Sequence, residues 1–183
     1  MKRVLFITGL SGSGKTTASL FFQNNRIPVL SLGDITYETM KSKDLEPSEA
    51  NEKRIRDMLR KKYGEMAYAK AIFPKIQTLL ENHELIVIEG LRSNAEYAYF
   101  SRHLRDLKMM YIDSDDELRF QWLTKRKVRP LSKDELKKRD NWEKNILHLP
   151  NLKEKADWVV ANRGTKQALF DKLKTILTEL TEI

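Results

Sequence analysis

The stretch FITGLSGSGKTT, residues 6 to 17, gathers the residue types that handle phosphate. Gly9, Gly14, Lys15 and Thr16 stand at the spacing G-x-x-x-x-G-K-[ST]. The glycines, lacking a Cβ, let the loop's backbone N–H groups converge on phosphate oxygens, and Gly9, Ser11, Gly12, Ser13, Gly14 and Thr17 are the candidates for the cradle. Lys15 is long enough to reach β- and γ-phosphates, and the Thr16 hydroxyl suits Mg²⁺. A helix beginning at Lys15 adds the partial positive charge of its N-terminus. The chemistry implied is the binding of ATP with Mg²⁺. The plainer alternative is a glycine-rich turn with a surface lysine. The motif reading requires a strand before the loop and a helix after it.

The surrounding pattern supplies both. KRVLFIT (2–8) is a short apolar run ending at glycine, which predicts a buried strand. Residues 15–25 carry Ala18, Leu20, Phe21 and Phe22 on a helix. Further strands are predicted over 27–32, 85–90, 107–113 and 157–162. Helical patterns cover 34–43, 48–62, 65–82, 93–105, 115–127, 132–145 and 165–181. Pro47 and Ser48 mark one helix entry and Gly64 its exit, and Pro74 predicts a kink or break within 65–82. Strands alternating with helices predict an α/β fold, a parallel sheet covered on both faces with right-handed crossovers.

The 183 residues suit one domain. There is no cysteine, which excludes disulfides and thiolate metal sites and fits a reducing compartment; a cytoplasmic location is the expectation. No run of 18 apolar residues occurs, so no membrane span is expected. The start MKRVLFITGL looks superficially like a signal peptide, but its apolar stretch is short and runs into the glycine loop. The three histidines are scattered without ligand spacing. A net charge of +8 fits a solvated basic surface or an anionic partner, nucleotide or nucleic acid.

Four segments besides the loop carry a resemblance: SLGDITYE (31–38), LRKKYGEMAYAKAIFPKI (59–76), VIEGLRS (87–93) and ADWVVANRGT (156–165). In order and spacing the chain resembles the P-loop nucleoside-monophosphate-kinase-like family, in particular archaeal adenylate-kinase-related proteins and dephospho-CoA kinases. The resemblance implies a three-layer fold with a five-stranded parallel sheet. It implies a core of about 1–33, 84–123 and 155–183, an acceptor-binding insert of about 34–83, and a mobile lid of about 124–146. Two positions depart from the family. Glu89 stands where an aspartate is usual, and Tyr37 stands where adenylate kinases carry an arginine three residues after the Gly-Asp pair.

Within that frame each candidate has a role and a plainer use. Asp34 is to position or deprotonate an acceptor hydroxyl, or to hold a Mg²⁺-bound water; its plainer use is to cap the next helix. Arg60 and Arg92 are to clamp an anionic acceptor through the guanidinium fork; Arg60 also fits a solvated basic face with Arg54, Arg56, Lys61 and Lys62. Glu89 is to hold Mg²⁺ with Thr16, or to pair with Arg92 or Lys15. Arg126, Arg129 and Arg139 lie in a charged segment with few apolar anchors. They are to bring positive charge to the transferred phosphoryl, or simply to solvate a hairpin. The resemblance has Asn162 and Gly164 contacting adenine through backbone groups; the alternative is an ordinary turn. Trp122 stacks on adenine or packs in the core. The expected activity is phosphoryl transfer from ATP to a small nucleotide-like acceptor, a nucleoside monophosphate or else dephospho-CoA. The alternative class is a regulatory or nucleic-acid-associated ATPase. The basic stretches show little aromatic interleaving, which disfavours nucleic acid.

Overall fold

The structure, a computed structural model, describes residues 2–126 and 131–182. Its centre is β1 (Arg3–Thr8), whose six residues are all buried. The side chains alternate. Val4 and Phe6 enter one core cluster, and Leu5 and Ile7 enter the other, on the opposite face of the sheet. A strand apolar on both faces needs cover on both, and the chain supplies it. β3 (Leu85–Leu91) and β4 (Asp106–Asp113) flank β1. β2 (Val29–Ser31) and β5 (Trp158–Ala161) form the edges, and all pairings are parallel in the order β2-β3-β1-β4-β5. The expected five-stranded parallel sheet is present.

On one face lie α1 (Lys15–Asn24) and α8 (Lys166–Thr181), with Phe22, Leu173 and Ile176 packed between them and the sheet. The other face carries α2 (Asp34–Lys41), α3 (Glu49–Tyr63), α4 (Ala67–Asn82) and α5 (Asn94–His103). Ser48 caps α3 by accepting from Asn51 N–H at 3.2 Å, and Gly64 ends it with φ 78°, as the sequence predicts. The expected interruption at Pro74 is absent: α4 runs through it as one helix. The tertiary packing of Ala69, Ile72 and Ile76 on the sheet outweighs the local penalty of the proline.

The remaining elements are α6 (Asp116–Thr124), α7 (Lys133–Asn141), a π-helical turn over Trp142–Ile146 and a 3₁₀ stretch over Leu149–Lys155, whose Leu149 and Leu152 are buried in the cluster on the α5 face. Ser132 and Glu135 form a reciprocal capping box at the start of α7. The sequence reading put a sparsely anchored lid here. The structure corrects it: Leu123, Leu131 and Leu136 form a small buried cluster with Phe120 against them, and buried ion pairs described below fasten α7 to the rest. The apolar anchors are few, but they are spaced to meet.

Candidate active site

The loop between β1 and α1 has the conformation its glycines permit. Gly9 has φ 137° and Gly14 φ 104°, in the region that L side chains avoid. A Cβ on Gly9 would strike the Ile112 carbonyl, and one on Gly14 would strike Asn162 Nδ2. Gly14 also fills the cap position of α1, where no side chain caps the helix. The first-turn N–H groups are left to an anion or to water. Lys15 turns its ammonium onto the carbonyls of Gly9 (2.8 Å) and Leu10 (2.9 Å). Burial brings its pKa down to about 8, with Glu143 opposing that fall and Arg92 adding to it.

Thr16 Oγ1 donates to Glu89 Oε1 at 3.1 Å, and Ser19 Oγ donates to Glu89 Oε2 at 2.9 Å. Glu89 is therefore satisfied by hydroxyls, not by the Arg92 or Lys15 pair that was its alternative. It ends the regular part of β3, just before Gly90 (φ 97°), where the register against β1 shifts. Thr16 and Glu89 offer only oxygen donors, which suits Mg²⁺. That ion is usually held by one or two carboxylates together with substrate phosphates. Among the described residues no group of three His, Cys, Asp or Glu side chains is placed to hold a metal by itself.

One cavity of about 630 Å³ runs from this loop across the sheet edge. Ser11, Gly12, Gly14, Lys15, Thr16 and Thr17 line one end; Gly9 and Ser13 do not line it. Asp34, Arg60 and Arg92 line the other end, with Glu89 between. Arg126, Arg139, Asn162, Gly164 and Trp122 also reach it. Arg129 lies outside the described residues. Trp122 is thus a wall of the cavity and not part of the core.

Asp34 is the first residue of α2 and makes no capping bond; Gly33 holds the cap position. Partial burial raises its pKa above the ordinary carboxylate value, and Glu38 and Glu89 push the same way. The Arg60 guanidinium lies over two rings, its Cζ 5.3 Å from the Tyr68 centroid and 4.8 Å from that of Trp142. Its Nη1 is buried without a hydrogen-bond partner. Arg56, one turn earlier, joins the same wall and pairs with Glu49 (2.6 Å) and Glu52 (3.4 Å). The α3 face is therefore only partly the solvated one that its composition suggests. Tyr37, at the position where the resembling kinases carry arginine, donates to Glu52 at 3.0 Å. Asn162 braces the loop with its side chain, Nδ2 donating to Ser13 O at 2.9 Å. Its backbone N–H goes to Asp113 O (2.7 Å) and its carbonyl accepts from Ser114 (2.8 Å).

The sequence reading missed a second layer. Glu143, 1% exposed, accepts from Ser11 N–H (2.8 Å), Ser11 Oγ (2.6 Å), Arg92 Nη1 (3.0 Å) and Arg139 Nε (3.4 Å). Burial pushes its carboxyl up, but Arg92, Arg139, Lys15 and the Ser11 hydroxyl together hold it at about 2. Arg119, fully buried, donates to Ser11 O (2.7 Å), Asp116 (2.6 Å) and both oxygens of Asp140. The Arg139–Glu143 spacing was a visible i, i+4 pair. Nothing local marked either residue as buried.

Set beside known proteins, residues 5–148 match the family profile described as AAA domain. A UPF0200/UPF0201 protein of Archaeoglobus fulgidus is 33% identical over 185 residues, covering 100% of this chain. The chain spans 57% of that relative's length. A UPF0200 protein of Pyrococcus furiosus is 30% identical, with 97% of this chain and 95% of the relative covered. Among solved structures, a dephospho-CoA kinase from Campylobacter jejuni superposes with a TM-score of 0.64 at 16% identity, over 100% of this chain and 98% of that one. At that identity the likeness speaks for the fold alone, a P-loop kinase-like one.

Proposed function

We propose that this chain, which belongs to the UPF0200 family and carries an AAA domain over most of its length, is an ATP-dependent small-molecule kinase. It moves the γ-phosphoryl of ATP to a nucleotide-like acceptor, a nucleoside monophosphate in the first instance. The observation that carries this is the continuity of the cavity. One space joins the phosphate loop, with Lys15 and Thr16, to Asp34, Arg60 and Arg92 at its far end. A module that only bound ATP would have no use for the second half.

In this reading the loop amides and Lys15 hold the β- and γ-phosphates. Thr16 would ligate Mg²⁺ and Glu89 would hold the ion through water; the bound ion neutralises charge on the phosphates. Arg60 and Arg92 grip the acceptor's anionic group and line its oxygen up with the γ-phosphorus. The acceptor oxygen forms the new P–O bond while the bond to the β,γ-bridging oxygen breaks, releasing ADP. Arg126 and Arg139 bring charge to the migrating group. A second reading, transfer to a hydroxyl such as that of dephospho-CoA, draws on Asp34. Its raised pKa makes it a better proton acceptor at neutral pH than an ordinary carboxylate.

The test measures ADP release with ATP and Mg²⁺ against a panel of nucleoside monophosphates, dephospho-CoA and oligonucleotides at two salt concentrations. A monophosphate is expected to accelerate release by at least about a hundredfold over ATP alone, the scale expected from positioning two reactants. Acceleration by dephospho-CoA alone selects the second reading. Acceleration only by DNA or RNA rejects both.

A further inference from the structure

Behind the cavity wall, and outside its lining, sits a carboxylate that touches both the phosphate loop and two cavity arginines. Glu143 is 1% exposed, while Arg92 and Arg139 line the cavity in front of it. Oε1 takes Ser11 Oγ, Arg92 Nη1 and Arg139 Nε, and Oε2 takes the Ser11 N–H. A guanidinium has five N–H donors. One contact from each arginine to Glu143 leaves most of both forks for another anion. Arg139 Nη1 meanwhile reaches Glu49 on α3 at 3.3 Å, which ties the same arginine to the acceptor-side wall.

The position of the carboxylate is fixed without any ligand. Asp140, on the preceding turn, is held by Arg119, which also donates to the Ser11 carbonyl at 2.7 Å. All three polar groups of Ser11 thus lead to residues 119 and 143, its N–H and hydroxyl to Glu143 and its C=O to Arg119. We propose that Glu143 is a positioning residue, aiming Arg139 at the γ-phosphate while it holds Arg92 on the acceptor side, so that ATP is gripped through its γ-phosphate in preference to ADP. This rests on the reading of the loop as an ATP site. Glu143 is no acid or base here, since its neighbours keep it ionised at every working pH. Its part is geometric. An arginine aimed beforehand loses less freedom when the phosphate arrives.

The experiment titrates ATP and ADP, each with Mg²⁺, into wild type, Glu143→Gln and Glu143→Asp by calorimetry, after ligand-free melting shows which variants are folded. A general loosening of the loop would weaken both nucleotides together. A misaimed Arg139 weakens ATP and spares ADP. Glu143→Gln is expected to reduce the ATP-over-ADP preference by about tenfold while leaving the ADP Kd within about twofold. Glu143→Asp keeps the charge but withdraws it by one methylene, and is expected to retain part of the preference. If the glutamine variant does not fold, the aspartate variant decides. An unchanged ratio in the folded variants, or equal losses for both nucleotides, overturns the proposal and leaves the ATP site standing. A wild type that binds neither nucleotide overturns the ATP site and the proposal with it.

Discussion

At the scale of the residue, Lys15 pays twice for its place. Its ammonium is drawn in among the Gly9 and Leu10 carbonyls, and burial lowers its pKa from 10.5 to about 8. A base held below its unfolded pKa destabilises the fold while it is charged. That cost is present in full below pH 8 and disappears as the pH rises toward 10.5, where the unfolded chain also loses the proton. Lys15→Met keeps the aliphatic stem and removes the charge. Its ligand-free melting temperature at pH 7 is expected to equal or exceed that of wild type. Its stabilisation by ATP should vanish, and phosphoryl transfer should fall at least about a hundredfold, as for loss of one strong electrostatic contact. Thermal melts with and without ATP, beside a turnover assay, check all three. A variant that melts lower without ligand and still binds ATP would make Lys15 a structural residue.

At the scale of the element, the chain divides into parts legible in its sequence and parts that were not. The unit β1–loop–α1 could be read because each of its signals is local: an apolar run, glycines at fixed spacing, a helix start. Ser48 and Gly64 gave the ends of α3 for the same reason. The charge pattern of α7 and its π-helical turn predicts a solvated, loosely held lid, yet the segment is fastened at Asp140 and Glu143. A charged residue in a charged helix looks the same from the sequence whether it faces water or a partner 132 positions away, as Glu143 does with Ser11. Beside that segment, just past the end of α6, the exposed Arg126 reaches the cavity. A charge that acts mainly in the transition state lowers kcat when removed and changes nucleotide affinity less. Arg126→Ala is expected to lower kcat by at least about a hundredfold with a modest change in ATP affinity. Lys133→Ala, at the exposed start of α7, is the control, with stability within about 0.5 kcal/mol of wild type and kcat unchanged. Equal kinetic effects from the two would make the segment's exposed charge a matter of solubility.

At the scale of the whole molecule, the buried charges cross-link layers that the sheet alone does not join. Glu143 connects the β1–α1 loop, the end of β3 and α7. A carboxylate held at about 2, against 4.5 when unfolded, stabilises the native state by an amount fully present above pH 4.5. That stabilisation drains away as the pH falls through 4.5 toward 2, because the unfolded chain takes up the proton first. The size at neutral pH is on the order of 3 kcal/mol. Other carboxylates titrate in the same range, Asp34 among them with its pKa shifted the opposite way. They are common to wild type and Glu143→Gln, so they largely cancel in the difference between the two proteins. Urea unfolding of both at pH 7, 5, 4, 3 and 2 isolates the one group. The variant is expected to be less stable by a constant margin from pH 7 to about 5, and the gap should shrink steadily below that. A gap that stays the same down to pH 2 would mean that the glutamine loses packing and hydrogen bonds alone, and that the ionised carboxylate is not what binds loop, strand and α7 together.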